Sequence, residues 1–237
     1  MYTFFAKILT VLLPYGDGDT LSSIECESGS LKTAFDTNVH IEASVSYPLV
    51  PETSLLTRYA NEIVQKEAYE LYDTFMQEIS ALQEEPSEQD ADELRFRYDL
   101  SLVRSTPILM SFYGSKYEYR GGVHGSWQYV TKTFLRQDNT IRELFLEDLF
   151  LPGSRERLFR YCEDYFKLNQ YDDYTWGGFN SEHLDAFLLT EKGLLLIFQD
   201  HILSGYEDYP TTLLIPYLKL VSIVNPSNSL PVDFVGP

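Results

Sequence analysis

Eight apolar residues at spacings of three and four constrain this chain more than any other feature: Leu56, Ala60, Val64, Ala68, Leu71, Phe75, Ile79 and Leu82. On a helix of 3.6 residues per turn, such spacing keeps all eight on one stripe. It predicts a long helix that starts at Thr53 or Ser54, either of which offers a hydroxyl for N-capping. Glu62 and Lys66, four apart, belong to its solvent side. One apolar stripe of this length demands a flat apolar partner, and the chain supplies one just upstream. Val39–Tyr47 alternates Val39, Ile41, Ala43, Val45 and Tyr47 with polar residues, the period-two pattern of a half-buried strand, and Pro48 and Pro51 close it.

Glu84–Glu93 (EEPSEQDADE) has no apolar face and contains Pro86, so it reads as an acidic linker. Beyond it the pattern turns to strands. Leu94, Phe96, Tyr98, Leu100 and Leu102 alternate; Pro107–Tyr119 and Trp127–Arg136 are further apolar and aromatic runs; Asp138-Asn139 is a hairpin turn before Ile141–Phe145. Pro152-Gly153-Ser154 is expected to cap a second, shorter helix with Leu158, Cys162, Tyr165 and Phe166 on one face. Tyr171–Asn180 reads as an aromatic loop. Ala186–Thr190 and Leu194–Gln199 form a hairpin, Thr212–Pro216 a last strand and Tyr217–Val224 a short helix. Runs of strands with two main helices give an α+β class, an antiparallel sheet packed by the long helix and the shorter one. Two lobes are expected: residues 1–83, with a strand-and-helix part at about 36–83, and residues 94–237, separated by 84–93.

The N-terminal Met1–Pro14 is apolar but shorter than the roughly 20 residues a spanning helix needs. It reads as a first strand before the Gly16–Asp19 turn; the alternative is the remnant of an export signal, although Lys7 sits inside the apolar run rather than before it. Cys26 and Cys162 allow one disulfide in an oxidising compartment or two separate small apolar residues. Neither has a metal-type neighbour, and no metal or cofactor is implied.

Acids outnumber bases 36 to 18, a net charge of −18. Such a surface disfavours nucleic acid and anionic lipid, which attract basic patches, and favours a basic partner. Tyr117, Glu118, Tyr119, Arg120, Gly121, Gly122, Val123, His124 and Gly125 form the least ordinary stretch. Three glycines in five positions imply positive φ or close backbone approach, hence a wide turn between aromatic strands. His124 at its tip is a ligand, a general base or a pH-sensitive contact, or else a residue bonded to backbone that holds the loop. The glycine spacing is not that of a phosphate loop, and no nucleophile or zinc motif is present. Trp127 and Trp176 are platforms for sugar rings or core residues. The ligand-binding candidates are therefore Tyr119, Gly121, Gly122, His124, Trp127 and Trp176.

The Tyr119–Gly125 turn, the Leu144…Glu147-Asp148-Leu149-Phe150 segment, and Phe187-Leu188-Leu189-Thr190…Gly193-Leu194…Phe198 before Ile215-Pro216-Tyr217 together resemble a known family. It is the domain of unknown function that forms the extracellular C-terminal domain of RsiV-type, lysozyme-sensing anti-sigma factors. The likeness covers roughly 94–224, and about 36–83 resembles the small companion domain that precedes it. It implies an α+β fold, a periplasmic, secreted or envelope-associated location, and relatives of which some bind lysozyme. A sigma-binding part and a transmembrane helix lie outside the likeness, so it implies a binding domain rather than a signalling protein. The expectation is a non-enzymatic envelope binding module, with a basic protein such as lysozyme or a cell-wall glycan as partner. Its rival is an envelope-glycan hydrolase or transferase with His124 as base and Glu118 or Asp148 as acid; a purely structural role is the third reading.

Overall fold

The computed structural model describes residues 27–36, 40–84, 93–169, 179–199 and 211–225. The expected first strand at Met1–Pro14, most of the acidic linker and most of the Tyr171–Asn180 loop lie outside them. Among the described residues the class is α+β: a six-stranded sheet and a three-stranded sheet, in each of which the strands lie side by side in chain order, four α-helices and a short 3-10 helix at Ser181–Leu184. The chain forms two compact units, Met1–Val103 with Tyr113–Gln128 and Arg104–Phe112 with Tyr129–Pro237.

The first unit is built around the striped helix. Strand β1 (Glu27–Asp36) pairs antiparallel with β2 (His40–Leu49), and α1 (Leu55–Glu84) carries the chain to β3 (Glu93–Ser105). Ser54 caps α1: its Oγ accepts the Thr57 N–H at 3.1 Å, and the Thr57 Oγ1 accepts the Ser54 N–H at 3.0 Å. Leu56, Ala60, Val64, Ala68, Phe75 and Ile79 are buried, Leu71 is half-buried, and the side chain of Leu82 is not described. They face Ile41, Ala43, Val45 and Tyr47 of β2 and Leu94, Phe96, Tyr98 and Leu100 of β3, all buried. Phe75 stacks on Phe96 with centroids 5.1 Å apart. Each large side chain buried here stabilises by about 1.5–3 kcal/mol. The ion pair on the solvent side joins Lys66 to Glu70, at 3.7 Å.

One pairing departs from an all-antiparallel sheet. β2 and β3 run parallel, with Ile41 opposite Leu94 and Val45 opposite Tyr98. The cause is the helix, since α1 returns the chain to the end of the sheet where β2 began, as a parallel crossover requires. The helix is also clasped at that strand's exit. The buried Asn61 accepts the Val50 N–H at 3.0 Å and donates to the Val50 carbonyl at 2.8 Å.

The second unit takes β5 (Ser126–Gln137) from Tyr129 onward, its hairpin partner β6 (Thr140–Glu143), α2 (Leu146–Leu149), α3 (Arg155–Leu168), β7 (Phe187–Leu189), β8 (Gly193–Phe198), β9 (Thr211–Pro216) and α4 (Tyr217–Leu220). Asp138 turns the hairpin with a φ of 54°. β6 ends two residues before the predicted Phe145, because the Asp148 carboxylate accepts the Phe145 N–H and starts a helical turn instead. Every residue of β8 is buried, as its unbroken apolar run requires. Leu158, Cys162 and Phe166 of α3 enter the same core as Leu194, Leu196, Phe198 and Ile215. Tyr165, expected on that face, is 38% exposed, because the i, i+4, i+8 row through Leu158 passes it by. Ser154 precedes α3 but its hydroxyl makes no cap bond; its backbone is already helical, which aims the side chain away from the N2 and N3 amides. α4 is one turn, cut short where Val224 bridges to Phe150.

Candidate functional site

Strands β4 (Leu109–Tyr119) and β5 are neighbours joined by Arg120–Gly125, too short for a crossover, so this is the predicted glycine turn. Gly121 and Gly122 have φ of 88° and 94°. The Tyr119 hydroxyl donates to the Gly122 carbonyl at 2.9 Å and closes the loop. Arg120 binds it to α1, with Nη2 2.5 Å from Glu78 and 3.2 Å from Glu118. Lys116 Nζ lies 2.7 Å from Glu118 on the other side. Burial pushes the Glu118 carboxyl up, but the hydrogen bonds and charges of Lys116 and Arg120 outweigh it and hold it below the usual range. Val123, 86% exposed, and the exposed His124 form the tip.

Below the turn, a recess of about 230 Å³ opens on the sheet, lined by Glu42, Arg95, Phe96, Arg97, Tyr117 and Trp127. It lies on the face turned away from α1. Period two sends Leu94, Phe96 and Tyr98 toward the helix and Arg95 and Arg97 outward, and β2 does the same with Glu42. Trp127 is 44% exposed and its ring lies 4.6 Å from that of Tyr117, tilted by 41°. Gly125 is needed here, since a Cβ at that position would run into the Tyr117 ring. Arg95 is held by Glu93, Nε at 2.8 Å and Nη2 at 2.5 Å. Lys32 Nζ lies 3.6 Å from Glu42.

The sequence-predicted residues therefore separate. Tyr119, Gly121 and Gly122 shape the turn, His124 stands at its tip and is not among the residues lining the recess, and Trp127 lines the recess. Trp176 lies outside the described residues. Sequence reading missed Arg95, Arg97, Glu42 and Tyr117 as a group. The alternation of Arg95 and Arg97 with buried residues was the available signal.

The acids named for enzymatic chemistry are both engaged, Glu118 as above and Asp148 by Arg142 at 2.7 Å and the Phe145 N–H. Cys162 is a free, buried thiol whose burial pushes it up to about 12, which makes it inert. His183 accepts the Asn180 N–H at 3.1 Å, and burial pushes it below its ordinary value against the pull of Glu182. Among the described residues no three His, Cys, Asp or Glu side chains are grouped to hold a metal ion. No described helix is long and apolar enough to cross a membrane.

No protein-family model matches the sequence, and no curated protein does. Solved structures do match. A DUF3298 family protein from Pseudomonas aeruginosa PAO1 superposes with a TM-score of 0.62 at 18% identity, over 85% of this chain and 95% of that one. A member of the same family from Bacteroides fragilis NCTC 9343 gives 0.57 at 15% identity, over 84% and 94%. The fold is that of DUF3298 proteins. At these identities the likeness is one of fold alone.

Proposed function

We propose that this chain is a non-enzymatic binding module of the cell envelope and that its ligand is a cell-wall glycan. The observation that carries the reading is the exposed Trp127 ring packed on the half-buried Tyr117 at the edge of an open recess lined by charged side chains. A flat aromatic surface beside a few placed polar groups is how small polar rings are held and oriented. The envelope setting comes from the resemblance of the Tyr119–Gly125 turn and its partner segments to the extracellular domain of RsiV-type proteins. The binding role is favoured over catalysis because Glu118 and Asp148 are both already paired with cations. A general base also needs an orienting acid and space for substrate beside it.

Calorimetry of the full chain against soluble peptidoglycan fragments tests this. Binding is expected, Trp127→Ala weakens it at least tenfold, and no new reducing ends or released acyl groups accumulate. Absence of binding, equal binding by Trp127→Ala, or turnover of the glycan each defeats the reading. The net charge of −18 favours a second one, a basic protein such as a lysozyme, attracted by the surface as a whole.

A further inference from the structure

Resting on the glycan reading above, the charges around the recess narrow the ligand further. Three charged side chains line it, Glu42, Arg95 and Arg97. Arg95 is taken by Glu93 through two nitrogens, and Glu42 lies 3.6 Å from Lys32. Glu42 and Tyr117 are both near enough to Arg95 to act on its charge. Arg97 lines the same recess and, among the described residues, makes no ion pair or side-chain hydrogen bond. Among the residues that line it, two arginines (Arg95, Arg97) thus meet one carboxylate (Glu42). In a chain where acids outnumber bases 36 to 18, this cationic lining beside the exposed Trp127 and the half-buried Tyr117 is a local reversal of the overall charge.

We propose that the recess takes a carboxylate-bearing sugar, with the ring against Trp127 and Tyr117 and the carboxylate on Arg97. The planar guanidinium offers two parallel N–H groups to a carboxylate, a fit that lysine or a neutral donor does not reproduce. Strand periodicity fixes Arg97 on the outer face beside Arg95, so the cation is placed by the sheet and not by a loop. A volume of about 230 Å³ lies below the roughly 300–1,000 Å³ of sites for drug-sized ligands, which suits one sugar unit or a chain end. The overall negative charge adds selectivity, since an anionic polymer is repelled everywhere except where its carboxylate meets the arginine.

The test compares N-acetylmuramic acid, which carries a carboxylate, with neutral N-acetylglucosamine, by calorimetry on the full chain. The acidic sugar is expected to bind at least tenfold tighter, and the difference is expected to shrink as salt rises. Arg97→Gln brings the two sugars to within about twofold (a gap of about 0.4 kcal/mol). Arg97→Lys restores only part of the preference, and Trp127→Ala weakens both sugars. Arg97 is exposed, so Arg97→Gln and Arg97→Lys keep the wild-type near-ultraviolet circular dichroism. Equal affinity for the two sugars, or a preference that survives Arg97→Gln, overturns the inference and leaves the glycan module standing. Failure of both sugars and of the peptidoglycan fragments overturns the module as well.

Discussion

Gly122 has a φ of 94° and open space where a Cβ would stand, so any penalty for a side chain there is one of backbone conformation and not of collision. A β-branched residue resists that region most. Gly122→Val is expected to cost about 1–3 kcal/mol, which for a chain of this size lowers the melting temperature by about 2–4 °C per kcal/mol. Scanning calorimetry reads this directly, and Gly122→Asn, which tolerates positive φ better, should lose less. A valine variant that melts with the wild type would show that the turn does not hold this conformation. Gly125 next to it answers to a different constraint. Its missing side chain makes room for the Tyr117 ring, so the two glycines serve the turn and the recess separately.

Among the elements, α1 depends on more than its stripe. Asn61 clasps both backbone groups of Val50, just past the end of β2. Removing it leaves a buried N–H and a buried carbonyl unpaired, each worth about 1–3 kcal/mol. Asn61→Ala should therefore lower unfolding free energy by about 2–4 kcal/mol, seen in urea as a lower midpoint with an unchanged slope. An effect below 0.5 kcal/mol would mean that water replaces the amide at no cost. Nothing in the sequence pointed to this contact, because an asparagine beside an apolar stripe looks like any solvent-facing residue. The stripe itself, the alternation in β2 and β3, and the buried run of β8 were legible, because each depends only on the period of its own segment. The parallel pairing of β2 with β3 was not, since it depends on which end of the sheet the helix returns to. The recess was illegible for a related reason: Arg97, Tyr117 and Trp127 come from three strands, and only the register between strands brings them together.

At the scale of the whole molecule, the charge of −18 acts on everything that approaches, whether or not a site exists for it. Its reach is set by screening, about 8 Å at physiological ionic strength and about 30 Å at 0.01 M. A basic protein is therefore captured faster at low salt, while a neutral sugar is not. This separates the two partner readings by kinetics. With a lysozyme as probe, the association rate should fall steeply between low and high salt, and Trp127→Ala should leave both the rate and its salt dependence unchanged, because long-range attraction does not use the recess. N-acetylmuramic acid at saturating concentration should likewise fail to displace the bound lysozyme. Stopped-flow association in a salt series measures the first two effects, and a competition titration the third. If Trp127→Ala slows dissociation or speeds it several-fold, or if the acidic sugar competes, the recess belongs to a protein contact and the glycan reading gives way. A salt-insensitive association rate would instead remove the charge from the account of either partner, leaving only the short-range contacts of Arg97, Tyr117 and Trp127 to explain what binds.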